Sequence, residues 1–294
     1  MDIGETLKRN RPELSVSTLK TYTSILKSIH KRIFGDDDLK MSHFGEVEKI
    51  TEDLKDKPVS TRKTALSALY VLTNNKKYND LMRDGIEEYK DGVAKREMSD
   101  KQKDAFKSQD EIKKYVDAYK NRAELLYKKE GRNVKDQQDI QDFIILALTS
   151  GYWIAPRRAE WVKFKIKNID EEKDNYIKDE KEFVFNTFKG SEKKGTQVIP
   201  IPVPLRKILK KWIYTNPTEW LLHDVNGDAL NSVKLNQRLN KIFGKGGAIN
   251  MLRHSYLSSK YQDTIKLNEE MAKDFEKMGS SANQQNIYIQ KIEK

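Results

Sequence analysis

The 294-residue chain has a net charge of +11, with 34% charged and 37% hydrophobic residues, so it can build cores under a strongly charged surface. With no cysteine, disulfides, thiolate metal sites and cysteine nucleophiles are excluded, and the scattered His30, His43, His223 and His254 form no metal-binding pattern. No apolar run reaches the roughly 18–20 residues of a membrane span and no leader-like start is visible, so an intracellular protein with a polyanionic partner is expected, although a lysine-rich surface kept soluble by charge explains the balance equally well.

The first ninety residues read as a helical bundle. Leu19, Tyr22, Ile25, Leu26, Ile29 and Ile33 recur at three- and four-residue steps, with Ser17 as a candidate N-cap and Gly35 as a stop. A second helix is expected over Phe44 to Leu54 and a third from Ser60 to the turn at Asn74-Asn75. Tyr78, Leu81, Met82, Ile86 and Tyr89 indicate a fourth. Residues 91–108 are charged and poor in large apolar groups, which suits an interdomain linker and suits an exposed helix with i,i+4 ion pairs as well.

Residues 109–294 are mixed. Ile140, Phe143, Ile144, Leu146, Ala147 and Leu148 make a helix apolar on nearly every side, hence buried, and Gly151 breaks it. Short strands are expected at Phe164 to Ile169, Tyr176-Ile177, Phe183 to Phe188 and Thr196 to Ile201, with Gly190 and Gly195 in a turn. Helices return at Pro204 to Tyr214, Ser232 to Phe243, Ile249 to Tyr261, Asn268 to Met278 and Ala282 to Ile292. The fold class is therefore mainly α with a small antiparallel sheet.

Four stretches carry candidate chemistry. Pro156-Arg157-Arg158-Ala159-Glu160 supplies arginine after the buried helix, and Phe188-Lys189-Gly190 supplies lysine on a hairpin. Asn250-Met251-Leu252-Arg253-His254 opens a helix with a second arginine, and Met278-Gly279-Ser280 precedes an isolated Tyr288. Two arginines can neutralise a phosphodiester, a lysine can protonate a leaving oxygen, and a tyrosine can attack, all without metal. Carboxylate-only magnesium sites stay open, because Asp and Glu occur throughout. Each residue also has a plainer role: an arginine in a surface ion pair, a tyrosine between Ile287 and Ile289 packing in a core, a loop lysine in water.

These motifs resemble the tyrosine recombinase/integrase family along nearly the whole chain. The resemblance implies a helical DNA core-binding domain (1–90), a linker (91–108) and a mixed α+β catalytic domain (109–294). Arg157 precedes Glu160 by three positions as the family's first arginine does, which favours it over Arg158. Asn186-Thr187-Phe188-Lys189-Gly190 and Gln197-Val198-Ile199-Pro200-Ile201-Pro202 are similar to the family's lysine hairpin and return strand. The long Thr149–Arg158 segment looks more like members from large DNA viruses and eukaryotic mobile elements.

The implied site is Arg157, Arg253 and Tyr288 with Lys189 as general acid, Lys193 and Lys194 competing for that role. Asn250 stands where the family usually has histidine and Ser280 where it has His or Trp. Asn cannot take a proton near neutral pH, so weakened activity is one expectation. His254 matches a histidine often found after the second arginine. Arg62, Lys63, Arg158, Lys193, Lys194 and His254 are candidate DNA contacts, and a DNA clamp is expected.

The implied reaction is site-specific recombination or integration through a 3′-phosphotyrosine link. It uses neither cofactor, metal nor ATP, and joins four copies on double-stranded DNA that are monomers off it. Alternatives are a type IB topoisomerase, favoured by the six residues after Tyr288, and a DNA-binding protein of the same fold with weakened catalysis.

Overall fold

The computed structural model describes residues 2–94 and 98–280. The chain divides into two compact units, residues 1–97 and 98–294.

In the first unit, α1 (Ile3–Asn10) starts where the Asp2 carboxylate accepts the Glu5 N–H. It ends with the Asn10 amide bonding the Val71 and Leu72 carbonyls. Helix α2 (Val16–Phe34) is capped by Ser15, whose hydroxyl accepts from the Thr18 N–H, and not by Ser17; Gly35 stops it at φ 66°. The expected helix Phe44 to Leu54 is two pieces, a 3-10 turn (Met41–Gly45) and α3 (Val47–Leu54), divided at Glu46 with ψ 71°. Helix α4 (Val59–Thr73) ends on left-handed Asn74, and α5 (Lys76–Ala94) follows. Leu7, Leu26, Ile50, Leu69 and Tyr78 meet in one core.

Much of the stretch read as a linker is helical. Helix α5 runs to Ala94, and α6 (Asp100–Ala105) opens the second unit with a capping box between Ser99 and Gln102. Residues 95–97 lie outside the described part. Helix α7 (Gln109–Lys128), not expected from the sequence, begins at another such box, Ser108 with Glu111, and buries Ile112, Val116 and Ala123.

Helix α8 (Val134–Thr149) is buried at every residue from 139 through 149. The sheet runs in order β1 (Phe164–Lys165), β2 (Asn175–Lys178), β3 (Glu182–Phe185), β4 (Gln197–Pro200). It is mixed and not wholly antiparallel, because β1 pairs parallel with β2. Strand β1 pairs on its other edge with residues 219–221, and it is short because the backbone turns left-handed on both sides of it, at Lys163 (φ 57°) and Asn168 (φ 51°). Between β3 and β4, Gly190 and Gly195 flank a single helical turn, α9 (Ser191–Lys194). Helices α10 (Val203–Thr215), α11 (Ser232–Phe243), α12 (Ile249–Lys260) and α13 (Gln262–Lys277) complete this unit. The expected helix Ala282 to Ile292 lies outside the described residues. No helix among the described residues is long and apolar enough to cross a membrane.

His223 is buried beneath this unit's surface, its ring 5.9 Å from that of Trp212 with planes 5° apart. Its Nδ1 lies 2.8 Å from the Asp224 carbonyl, while Nε2 is buried with no partner among the described residues. Burial holds this imidazole below its ordinary pKa, so the unfolded chain takes up a proton more readily. The neutral form's contribution is therefore complete above about pH 6.5 and is lost as pH falls toward the depressed folded value. Urea midpoints of the full chain should drop between neutral pH and about pH 5, and His223→Gln should flatten that drop. Identical pH profiles for the two proteins would contradict the assignment.

Candidate active site

Arg157 leaves the turn after α8 and enters a pocket built by the sheet. Its guanidinium carbon stands 3.9 Å from the Phe185 ring centroid and 5.5 Å from that of Phe188. Nη1 donates to Gln197 Oε1 at 3.1 Å. Register explains the pair: Phe185 and Gln197 are cross-strand partners on β3 and β4, so one arginine reaches both. Nε lies 3.8 Å from Glu160 Oε2, and both atoms are buried without a hydrogen bond among the described residues. Burial draws the guanidinium below its ordinary pKa, with Glu160 opposing. The result is a partly desolvated cation, stacked and oriented but only loosely compensated. Arg158, its sequence neighbour, is exposed and lines a cavity of about 500 Å³ with Glu160, Lys163 and Lys189.

The lysine hairpin is tied by two asparagines that sequence reasoning did not single out. The Asn175 side chain bonds both the carbonyl and the N–H of Thr187, each at 2.8 Å. Asn186 donates to the Glu171 and Asp174 carbonyls at 2.8 Å and accepts from the Thr196 hydroxyl. These bonds fix the chain leaving β3, and Lys189 projects exposed three residues after Asn186. Lys193 and Lys194 are exposed on α9. The signal for Gln197, Asn175 and Asn186 lies in strand pairing, which residue types alone do not reveal.

Helix α12 carries Asn250, Arg253 and His254 on one face. Its opposite side buries Ile249, Met251, Leu252 and Ser255, the last donating to the Lys107 carbonyl at 2.6 Å. Arg253 is half-buried and makes no hydrogen bond or ion pair among the described residues. Asn250 and His254 line a cavity of about 450 Å³ with Met98, Gln102 and Phe106.

One close approach joins α12 to the segment that delivers Arg157. A Cβ at Gly151, whose φ is 87°, would sit 2.6 Å from Tyr256 Cδ2. Arg253 lies one helical turn before Tyr256.

The candidates are thus grouped unevenly. Arg158 and Lys189 share one cavity and Asn250 and His254 another, while no hydrogen bond, ion pair or ring contact among the described residues joins Arg157 to Arg253. Ser280 closes α13 by donating its N–H to the Phe275 carbonyl at 2.8 Å, with Gly279 left-handed at φ 68°, a Schellman ending. Arg62 lines a cavity of about 360 Å³ within the first unit beside Glu52, Lys55 and Asp84; Lys63 is its helix neighbour. Tyr288 lies outside the described residues. Among the described residues no group of three or more His, Asp or Glu could hold a metal.

No family model and no curated protein matches the chain. A solved structure that is similar is the XerH site-specific recombinase bound to difH substrate in a pre-cleavage complex. It shares 15% sequence identity, with 99% of this chain and 91% of that chain covered and a TM-score of 0.41. A likeness at that score carries no weight in assigning an activity to this chain.

The Gly151 contact has a measurable consequence. Gly151→Ala should destabilise the protein by about 3 kcal/mol, the sum of left-handed backbone strain and the clash with Tyr256. Adding Tyr256→Ala should leave only the backbone part, roughly 1–2 kcal/mol, beyond what Tyr256→Ala costs alone. Denaturant titration of the four proteins tests this, and a Gly151→Ala midpoint equal to wild type would refute the close approach.

Proposed function

We propose that the chain is a tyrosine-recombinase-type enzyme that cuts and rejoins double-stranded DNA. The observation that carries the reading is Arg157: a partly desolvated guanidinium, stacked on Phe185 and Phe188, with Glu160 as a distant counterion. Such a group gains by meeting an anion, and its planar donors match non-bridging phosphate oxygens. Arg253, without a partner among the described residues, supports the same reading.

In the proposed reaction the Tyr288 phenol gives up its proton to water, its anion favoured by the neighbouring arginines, and the oxygen attacks the scissile phosphorus. The phosphorus–oxygen bond to the 5′ carbon breaks, leaving a 3′-phosphotyrosine ester and a 5′-hydroxyl. Lys189 gives that departing oxygen its proton, and Arg157 and Arg253 stabilise the charge on the non-bridging oxygens. Asn250 and the Ser280 hydroxyl add neutral hydrogen bonds. A 5′-hydroxyl from another strand reverses the step, conserving the ester, so neither metal nor ATP is consumed. Site-specific recombination or integration by several copies on DNA is the proposed outcome. A DNA-binding protein with weakened catalysis is the second reading, favoured by Asn250 and Ser280, neither of which exchanges a proton near neutral pH.

The test is covalent trapping on nicked duplexes of randomised sequence, read as a protein–DNA adduct on a denaturing gel. Wild type should form the adduct. Tyr288→Phe should abolish it while DNA still binds, and Arg157→Ala or Arg253→Ala should slow it by roughly 10²–10³-fold. Binding without any adduct would select the second reading. Absence of both would overturn the two together.

A further inference from the structure

Beside Arg157, the cavity lined by Arg158, Lys163 and Lys189 is bounded by a turn on one side and the lysine hairpin on the other. All three cations are exposed, and none makes a side-chain hydrogen bond or ion pair among the described residues. The acids on the same wall are engaged elsewhere. Glu160 faces Arg157 at 3.8 Å, and Asp174 lies 3.6 Å from Lys165 while also accepting the Asp170 N–H at 2.9 Å. A fourth cation on the wall, Lys173, pairs with Asp170 at 3.0 Å. Three uncompensated cations therefore share one concavity of about 500 Å³, within the size range of small-ligand sites.

Lys163 stands out further. Its φ is 57°, the left-handed region that a lysine enters only at a cost of about 1–2 kcal/mol. Glycine would fit there without strain, yet the position carries a long cationic side chain.

We infer that this cavity binds a backbone phosphate of DNA flanking the one held by Arg157, and that Lys163 is a principal contact. The inference rests on the proposed DNA-cleaving function and extends it to a residue outside the cleavage chemistry. A contact of this kind carries no base information; it sets the register of the duplex against the reacting group and adds to affinity through release of counterions.

The test uses the full chain and fluorescence anisotropy with a short labelled duplex, across about 50–200 mM NaCl. Lys163→Gln removes the charge and keeps the backbone strain. Lys163→Gly removes the charge and relieves the strain, so poor folding cannot mimic its effect. Both should reduce the log–log salt slope by about 0.9, so that affinity falls roughly threefold less over that salt range. Lys163→Gly should also melt no lower than wild type. Lys210→Gln, an exposed position of α10 outside the cavity, should leave the slope unchanged. A steep wild-type slope with both Lys163 variants parallel to it would overturn the inference and leave DNA binding standing. A flat wild-type slope would instead remove the DNA-binding reading, and this site with it.

Discussion

Burial of α8 from residue 139 through 149 is the constraint on which the second unit depends. Its middle carries Asp139, Gln141 and Asp142, polar groups that a core tolerates only if each finds a partner. The partners come from far along the chain. Arg122 of α7 meets Asp139 at 2.5 Å, and Arg238 of α11 meets Asp142 at 2.7 Å while also bonding Gln138. Gln141 exchanges two hydrogen bonds with the His223 backbone, each at 2.8 Å. Even with Arg238 beside it, burial keeps the Asp142 carboxyl above its ordinary pKa. Removing one member of such a buried pair leaves an uncompensated charge at a cost of about 3–5 kcal/mol. These bonds fix the orientation of α7 and α11 about α8, and Arg157 leaves directly from the end of that assembly.

The candidate site sets two kinds of cation side by side. Arg157 is half-buried and held by aromatic faces and an amide, so little ordering is left to do when an anion arrives. Arg158 and Lys163 are exposed on long stems and must be ordered by whatever they bind. A fixed charge suits a group whose geometry changes in a reaction. Mobile charges suit a polymer backbone whose phosphates arrive in several registers.

Much of the helical architecture was legible because apolar periodicity survives in a charged sequence. The buried helix stood out through Ile140 to Leu148, α11 through Leu235, Leu239 and Phe243, and the Gly35 stop through its position. Helix α7 was missed because Ile112, Val116 and Ala123 are thinly spread among charged residues; its capping box at Ser108 and Glu111 was the available signal. A strand at Phe164 was expected, but its parallel pairing could not be read, since two residues carry no alternation and their partners lie in segments eleven and fifty-five positions away. For the site, the family resemblance, through the spacing from Arg157 to Glu160, favoured the arginine that the sheet encloses, whereas Gln197 reaches it only after the hairpin folds back. Asn250 and His254 were legible as neighbours of Arg253 on one helical face, but not as walls of a cavity whose other side comes from α6.

Helix α13 contrasts with α8. Of its 16 residues Phe275 alone is buried, and it begins at Tyr261 without a side-chain cap. Opening it therefore exposes one phenyl ring and little else, so native-state hydrogen exchange in this helix should proceed by local fraying well before global unfolding. A helix so lightly moored can be lifted or re-docked without dismantling the core.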